Sequence, residues 1–183
     1  MAKKLIDFVQ KKFASEVLDA HSRLGNDTVT IKRDQIVEIV RTLRDDPTTK
    51  MNYLRTITAV DYLPRQPRFE VVYVLYSMQH KHMLILRVML DEADLTLPSL
   101  HSLYGTAGWQ EREVWDMYGI KFEGHPDLRR VLLYEEFEGH PLRKDYLKQA
   151  SQPRVELLAR ERDSVEEFNI YVNDRPSSGS RDE

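Results

Sequence analysis

The chain has no cysteine at all. Disulfides, cysteine-ligated iron–sulfur clusters and a thiol nucleophile are therefore excluded on it, and a reducing compartment is permitted. Glycine is sparse, at 7 of 183 residues, and neither GxGxxG nor GxxxxGKS/T occurs, so no glycine-rich loop is present to cradle a nucleotide phosphate. A dominant charge sign is missing too. The net charge is -3 and the pI about 6.1, which leaves nucleic acid no basic footprint. Long apolar runs are absent, the stretch Met83–Leu86 falling far short of the ~20 residues that span a bilayer. The opening MAKKLIDFVQKKF interrupts its short apolar stretch with Asp7 and so lacks the h-region of a signal peptide. Any membrane attachment is expected to come through a partner.

At 183 residues, 41% hydrophobic and 31% charged, the chain has room for one core-bearing domain plus an extension. Leu5, Phe8, Val9 and Phe13 fall at helical spacing and predict a short amphipathic helix. Glu16–Arg23 and Asp27–Lys32 predict a hairpin about the turn residues Leu24-Gly25-Asn26-Asp27. Ile36, Ile39, Val40 and Leu43 mark a second helix, with Asp34 in its first turn, Arg41 and Arg44 in its last, and Pro47 beyond its end. Three strand-like segments follow at Tyr53–Tyr62, Phe69–Met78 and Lys81–Leu90, the last two close enough to pair antiparallel. The expected fold is α+β: a two-layer sandwich of helices on a mixed, largely antiparallel sheet, with an extended C-terminal arm. Pro98–Leu103 reads as one or two helical turns and Gly105–Gly108 as a flexible break. The expected boundaries are a core domain over 1–108, a helix and arm over 109–174 and a disordered tail over 175–183, with a helix at 154–162 and a strand-like segment at 168–172.

The densest stretch runs from Trp109 to Tyr146. Between Glu111 and Asp145 it carries nine acidic and six basic residues, 15 of 35, well above the 31% of the whole chain. The mixed sign predicts paired contacts rather than a polyanion patch. Trp109–Tyr118 reads as a helix capped by Gly119, and Arg112 and Asp116, at i,i+4, are placed to pair. Glu111 and Glu113 sit near its positive end, where dipole and ion-pair duties are expected. About 200° apart on the helix, they share no face for acid–base catalysis. A motif then repeats fifteen residues on, EGHPDLRR at Glu123–Arg130 and EGHPLRKD at Glu138–Asp145. His125 and His140 are candidate metal ligands, but their spacing lacks the pattern of a three- or four-ligand site. The plainer expectation is two turns in which Gly and Pro set the backbone and each His bonds locally. Arg129-Arg130 and Arg143-Lys144 are flanked by acids, which favours orienting ion pairs over phosphate binding. Trp109, Trp115, Tyr118, Phe122, Tyr134, Phe137 and Tyr146 read as core or interface anchors.

EREVWDMYGI, FEGHPDLRRVLL and FEGHPLRKDY together resemble the signature of the 30 kDa subunit family of respiratory complex I, in bacteria the C subunit of the proton-pumping NADH:quinone oxidoreductase. ITAVDY, RFEVVYVLYSM and LPSLHSLYGTAGWQERE extend the resemblance over roughly residues 50 to 150, with Gly108 departing from the Asn that many members carry. The resemblance implies a cofactor-free subunit of the peripheral arm, on the cytoplasmic side of the inner membrane, with FMN and iron–sulfur clusters on partner subunits. Its implied neighbours are the 49 kDa-like quinone-site subunit and the iron–sulfur subunits beside it. Trp109–Tyr146 would wrap a partner, with the aromatics as anchors and Arg112, Arg129, Arg130, Arg143 and Lys144 in ion pairs, and the free chain would be protease-sensitive beyond about Ile120. Two alternatives stand beside it: an equivalent subunit of a membrane-bound hydrogenase or ferredoxin-linked complex, and a stand-alone metal-dependent hydrolase using His125 and His140.

Overall fold

Alternation along the strands builds the sheet. In β4 (Phe69–Ser77) the odd-numbered Phe69, Val71, Tyr73, Leu75 and Ser77 are buried, and in β5 (His82–Leu90) the even-numbered Leu84, Leu86, Val88 and Leu90 are. The two strands pair antiparallel with Tyr73 opposite Leu86, so both buried sets line one face. β3 (Tyr53–Asp61) pairs antiparallel with β4 and carries a bulge between Leu54 and Thr56. The extra residue flips the side-chain parity, which puts Leu54, Ile57, Ala59 and Asp61 on that face as well.

The expected hairpin is present as β1 (Val17–Arg23) and β2 (Asn26–Ile31), closed by the two-residue turn Leu24-Gly25. β2 then lies parallel to β5, giving the order β1-β2-β5-β4-β3, mixed but largely antiparallel. α1 (Lys3–Lys12) buries Leu5, Ile6 and Val9, and α2 (Ile36–Asp45) buries Ile36, Ile39, Val40 and Leu43, all in one apolar cluster with the buried strand residues. Each of those aliphatic side chains contributes about 1.5–3 kcal/mol by leaving water. The two-layer α+β arrangement read from the periodicity is therefore the observed one.

This computed structural model describes residues 3–147 and residue 152, and the expected helix at 154–162, strand-like segment at 168–172 and tail at 175–183 lie outside them. Two local expectations change. Thr96–Pro98 is a short strand, β6, paired parallel with β7 (Lys121–Glu123), and the residues after Pro98 make turns instead of a helix. Gly105–Gly108 is not a break: α3 spans Ala107–Tyr118, and the Ala107 N–H already bonds the Tyr104 carbonyl at 3.0 Å. Ala107 and Val114 are buried against the sheet, and α3 packs along β3. β6 and β7 clamp the chain on either side of the helix through Ser99 N–H to the Glu123 carbonyl and Lys121 N–H to the Leu95 carbonyl, both 2.8 Å.

Candidate functional site

Helix α3 is the spine of the charged stretch, and the two EGHP turns attend to its two ends. Gly124 and Gly139 both adopt the left-handed conformation, φ +79° and +87°, as the turn reading requires. His125 bonds within its own turn as expected, and both histidines also reach out to α3. His125 Nδ1 accepts from the Asp127 N–H at 3.0 Å, which leaves Nε2 to donate to the Gly108 carbonyl at 3.0 Å. His140 uses the other nitrogen: Nδ1 donates to the Asp116 carbonyl at 2.9 Å. Those carbonyls lie eight residues apart on the helix, roughly 12 Å. One histidine holds each end of α3, and burial keeps His140 below its ordinary pKa.

Between the turns the chain runs along α3 in the same direction as the helix. Arg112 donates from Nε to the Arg129 carbonyl at 3.0 Å and from Nη2 to the Arg130 carbonyl at 2.7 Å. One turn later Asp116, fully buried, takes the backbone N–H groups of Val131, Leu132 and Leu133 on one carboxylate oxygen at 3.0–3.1 Å. Its other oxygen receives Arg130 Nη1 at 2.6 Å. Burial pushes the Asp116 carboxyl up, but the three N–H donors and the guanidinium outweigh it and leave it below its ordinary value. The expected Arg112–Asp116 pair is therefore not formed. Both side chains sit at i,i+4, but each is occupied by the segment wrapped beside the helix.

The wrap then returns. Arg130 Nη2 reaches the Phe137 carbonyl at 2.6 Å and the Gly139 carbonyl at 3.2 Å, closing the loop on itself. Leu142 N–H bonds the Met117 carbonyl, and Arg143 Nε the Tyr118 carbonyl at 2.7 Å, so the last turn of α3 is satisfied by the second repeat. Gly119 caps that turn at φ +79°, its N–H on the Trp115 carbonyl. A side chain there would meet the His140 ring at 2.6 Å. Trp115 lies edge-on to His140, Phe137 is stacked with Tyr146, and Tyr118 is half-buried.

The wrap ends at a buried ion cluster that the reading of charge density missed. Arg68, 1% exposed, grips Asp61 through Nε at 3.0 Å and Nη2 at 2.8 Å, and reaches Asp145 at 2.8 Å and Glu92 at 2.6 Å. Lys144 contributes its backbone N–H to Asp61 at 2.8 Å, while its side chain stays exposed and enters no ion pair among the described residues. The Arg68 guanidinium holds the Asp61 carboxyl well below the usual range, against the opposing effect of burial. A signal was available: Asp61 and Arg68 flank the apolar runs of β3 and β4, and Asp61 falls at a core-facing position, where an acid demands a partner.

The remaining predicted residues divide. Glu111 is not at the helix start, because α3 begins four residues earlier; it is fully buried and accepts the Ser99 hydroxyl at 2.6 Å and the Leu100 N–H at 2.7 Å. Burial raises its pKa. Glu113 is exposed, and Arg129 pairs with Asp127 at the surface, 3.0 Å apart. Trp109 is 65% exposed yet fixed, with the Arg112 guanidinium 4.9 Å from its ring centre. The expected onset of protease sensitivity at Ile120 does not fit this packing, which ties the segment through Tyr146 to α3 and the sheet.

Residues 29–152 match the family described as respiratory-chain NADH dehydrogenase, 30 kDa subunit. The chain belongs to that family. The C subunit of NADH-quinone oxidoreductase from Citrifermentans bemidjiense is 44% identical over 138 residues, 75% of this chain and 84% of that protein. Its counterpart from Geobacter sulfurreducens is 43% identical over 139 residues, covering 75% and 85%. Among solved structures, a trypsin-resistant fragment (1–134) of Nqo5 shares 34% identity with a TM-score of 0.60, covering 68% of this chain and 98% of the fragment. A chain of the membrane-bound sulfane sulfur reductase, an archaeal respiratory membrane complex, shares the fold at a TM-score of 0.65 and 20% identity, covering 99% and 97%. The matched region of the 30 kDa family holds most of the sheet, α3 and the whole described wrap. Among the described residues no helix is long and apolar enough to cross a membrane.

Proposed function

We propose that this 30 kDa-family chain is a structural subunit of a proton-translocating NADH:quinone oxidoreductase, carrying no redox group itself and docking in the peripheral arm on the cytoplasmic side of the inner membrane. The observation that carries this reading is where the signature residues direct their polar groups. Arg112, Asp116, Arg130, His125, His140 and Arg143 bond chiefly to backbone carbonyls and N–H groups of α3 and its wrap, so the signature builds a rigid surface. That surface presents Trp109 and Leu132, 65% and 63% exposed, as fixed apolar anchors of the kind that dominate binding energy. FMN and the iron–sulfur clusters belong to neighbouring subunits on this reading, in keeping with the lack of cysteine. The partner for the wrap is the 49 kDa-like quinone-site subunit, with the iron–sulfur subunits beside it.

The test is to tag the chain in its native host, solubilise membranes in mild detergent and isolate what accompanies it. A large particle with iron–sulfur absorbance that oxidises NADH with a quinone acceptor is the expected result. A chain recovered alone from the soluble fraction would overturn the reading. The second assignment is the equivalent subunit of a membrane-bound hydrogenase or ferredoxin-linked complex. A particle that lacks NADH oxidation and accepts electrons from ferredoxin would select it.

A further inference from the structure

The two edges of the five-stranded sheet differ. β3 has α3 packed along it, and Gln110 of that helix reaches the Arg55 carbonyl in its bulge. β1, at the other edge, has no strand on its outer side among the described residues. Its turn decides which backbone groups face out. Arg23 and Asn26 flank the two-residue turn and form a hydrogen-bonded pair, so the N–H and C=O of Arg23 and His21 point into the sheet while those of Ser22 and Ala20 point away from it. No described residue takes up those four outward groups.

Unpaired edge groups are a template for another strand, and the side chains select which strand. Charges on an edge ordinarily discourage pairing. Here they carry both signs and are spaced evenly about His21, with Asp19 two residues before it and Arg23 two residues after. Asp19 is exposed, its carboxylate 3.3 Å from His21 Nδ1, and Arg23 is exposed and enters no ion pair among the described residues. One step further out on each side stand Leu18 and Leu24, 59% and fully exposed. The run LDAHSRL, residues 18 to 24, is thus its own complement when laid antiparallel to itself.

We propose that β1 pairs antiparallel with β1 of a second copy of this chain, about a two-fold axis at His21. In that register Ala20 lies opposite Ser22 of the second copy, so the outward backbone groups bond each other, and Asp19 lies opposite Arg23 on both sides of the axis. The neighbouring registers that keep the backbone groups in phase place Ala20 or Ser22 opposite itself, and neither sets Asp19 against Arg23. A copy supplies this match by symmetry, as the two halves of an isologous interface do. The seam is a single strand pair, well short of the ~1,600 Å² of a standard interface, so the dimer is reversible and separates on dilution. It is a state of the free chain and does not depend on the subunit reading above.

Sedimentation velocity of the purified full chain from about 1 to 200 µM, the range of a weak interface, tests this. The expected result is a weight-average coefficient that climbs from the monomer toward the dimer. Asp19→Arg and Arg23→Asp are each expected to move that transition about tenfold higher in concentration while the melting temperature stays put, since both side chains are exposed. The two substitutions in one chain are expected to restore it, because the exchanged charges face each other again. The lack of cysteine permits a second measurement. His21→Cys sets two thiols opposite each other at a pair whose Cα atoms are about 4.5 Å apart, within disulfide reach, and mild oxidation is expected to yield a cross-linked dimer. Ser22→Cys, two residues out of register with its own copy, is expected to yield little. A chain that stays monomeric throughout overturns the proposal. So do single reversals that leave the dimer intact, a double exchange that fails to restore it, or a Ser22→Cys variant that cross-links as readily as His21→Cys.

Discussion

Leu86 and Asp116 are equally inaccessible to water, yet they hold their surroundings by opposite means. Leu86 sits in a sheet where alternate side chains pack against α1 and α2, and its contribution is apolar area removed from solvent. Asp116 sits in a wrap with little regular structure, where three N–H groups and a guanidinium converge on one carboxylate. Apolar packing tolerates exchange of similar volumes, whereas a buried acceptor at the centre of four donors has no substitute. The wrap can therefore be irregular and rigid at once, which a surface presented to partners requires.

The largest effect is expected at that carboxylate. Asp116→Ala leaves Arg130 and three N–H groups buried without an acceptor and should cost about 3–5 kcal/mol. Leu86→Ala should cost a similar ~2–5 kcal/mol through its cavity, so magnitude alone does not separate the regions. Where the damage falls does. Below the melting temperature, trypsin should cut the Asp116 variant at Arg129 and Arg130 while its far-ultraviolet circular dichroism stays native. The Leu86 variant should lose both together. Equal protease resistance in the two would show that the wrap is not held through Asp116.

Gly119→Ala probes the same region by shape alone. A Cβ there meets His140 Nε2 at 2.6 Å, and the residue must keep φ +79°. A loss of about 1–3 kcal/mol is expected by denaturant titration, since the neighbours must shift and the backbone is strained for alanine. A neutral result would mean the second repeat is not seated against the helix end.

The regions also differ in how they answer acid. Asp61 and Asp116 both titrate below the ordinary 3.8 in the folded chain, so the stability they contribute is complete above pH 3.8 and is lost as pH falls through that range. Glu111 has the opposite sign: burial raises it above 4.5, so its contribution is complete below pH 4.5 and declines as pH rises through the folded value. Melting temperatures from pH 7 to 3 should therefore fall steeply only below about pH 4. Asp116→Asn should flatten that fall, and Glu111→Gln should flatten the weaker decline on the other side. A profile unchanged in both variants would remove ionisation from the account.

These contrasts explain what could be read in the sequence. The sheet and its helices followed from period: Ile36, Ile39, Val40 and Leu43 at helical spacing, and the alternating runs of β4 and β5, are all buried where the spacing put them. β6 and β7 escaped because three-residue strands carry no period, and α3 began early because Gly108, discouraging in a helix, leaves room at its Cβ position for His101 Nδ1 only 2.9 Å away. In the wrap, the charged residues were visible but their partners were not. A salt bridge at i,i+4 was the only pairing that one-dimensional spacing could suggest for Arg112 and Asp116, whereas their true partners lie 14 to 18 residues on and are mostly backbone groups. The EGHP repeat was legible as a pair of turns, and its purpose appeared only once α3 lay between the two histidines.

The smallest effect divides two neighbours in the sequence. Arg130 is 13% exposed and touches Asp116, Phe137 and Gly139, so Arg130→Ala should destabilise the free chain by about 2–4 kcal/mol. Arg129 is 65% exposed and its side chain pairs with the equally open Asp127, a pair worth at most ~0.5 kcal/mol, so Arg129→Ala should leave the melting temperature almost unmoved. Assembly separates stability from docking at this dipeptide. If the outer surface of the wrap meets a partner, Arg129→Ala should weaken incorporation into the complex more than its unchanged melting temperature predicts, and raised salt should shrink the difference between variant and wild type. Incorporation at the wild-type level at low salt would place Arg129 outside the contact and narrow the docking surface to Trp109 and Leu132, where the arginine contributes only its backbone carbonyl to hold Arg112 beneath the tryptophan.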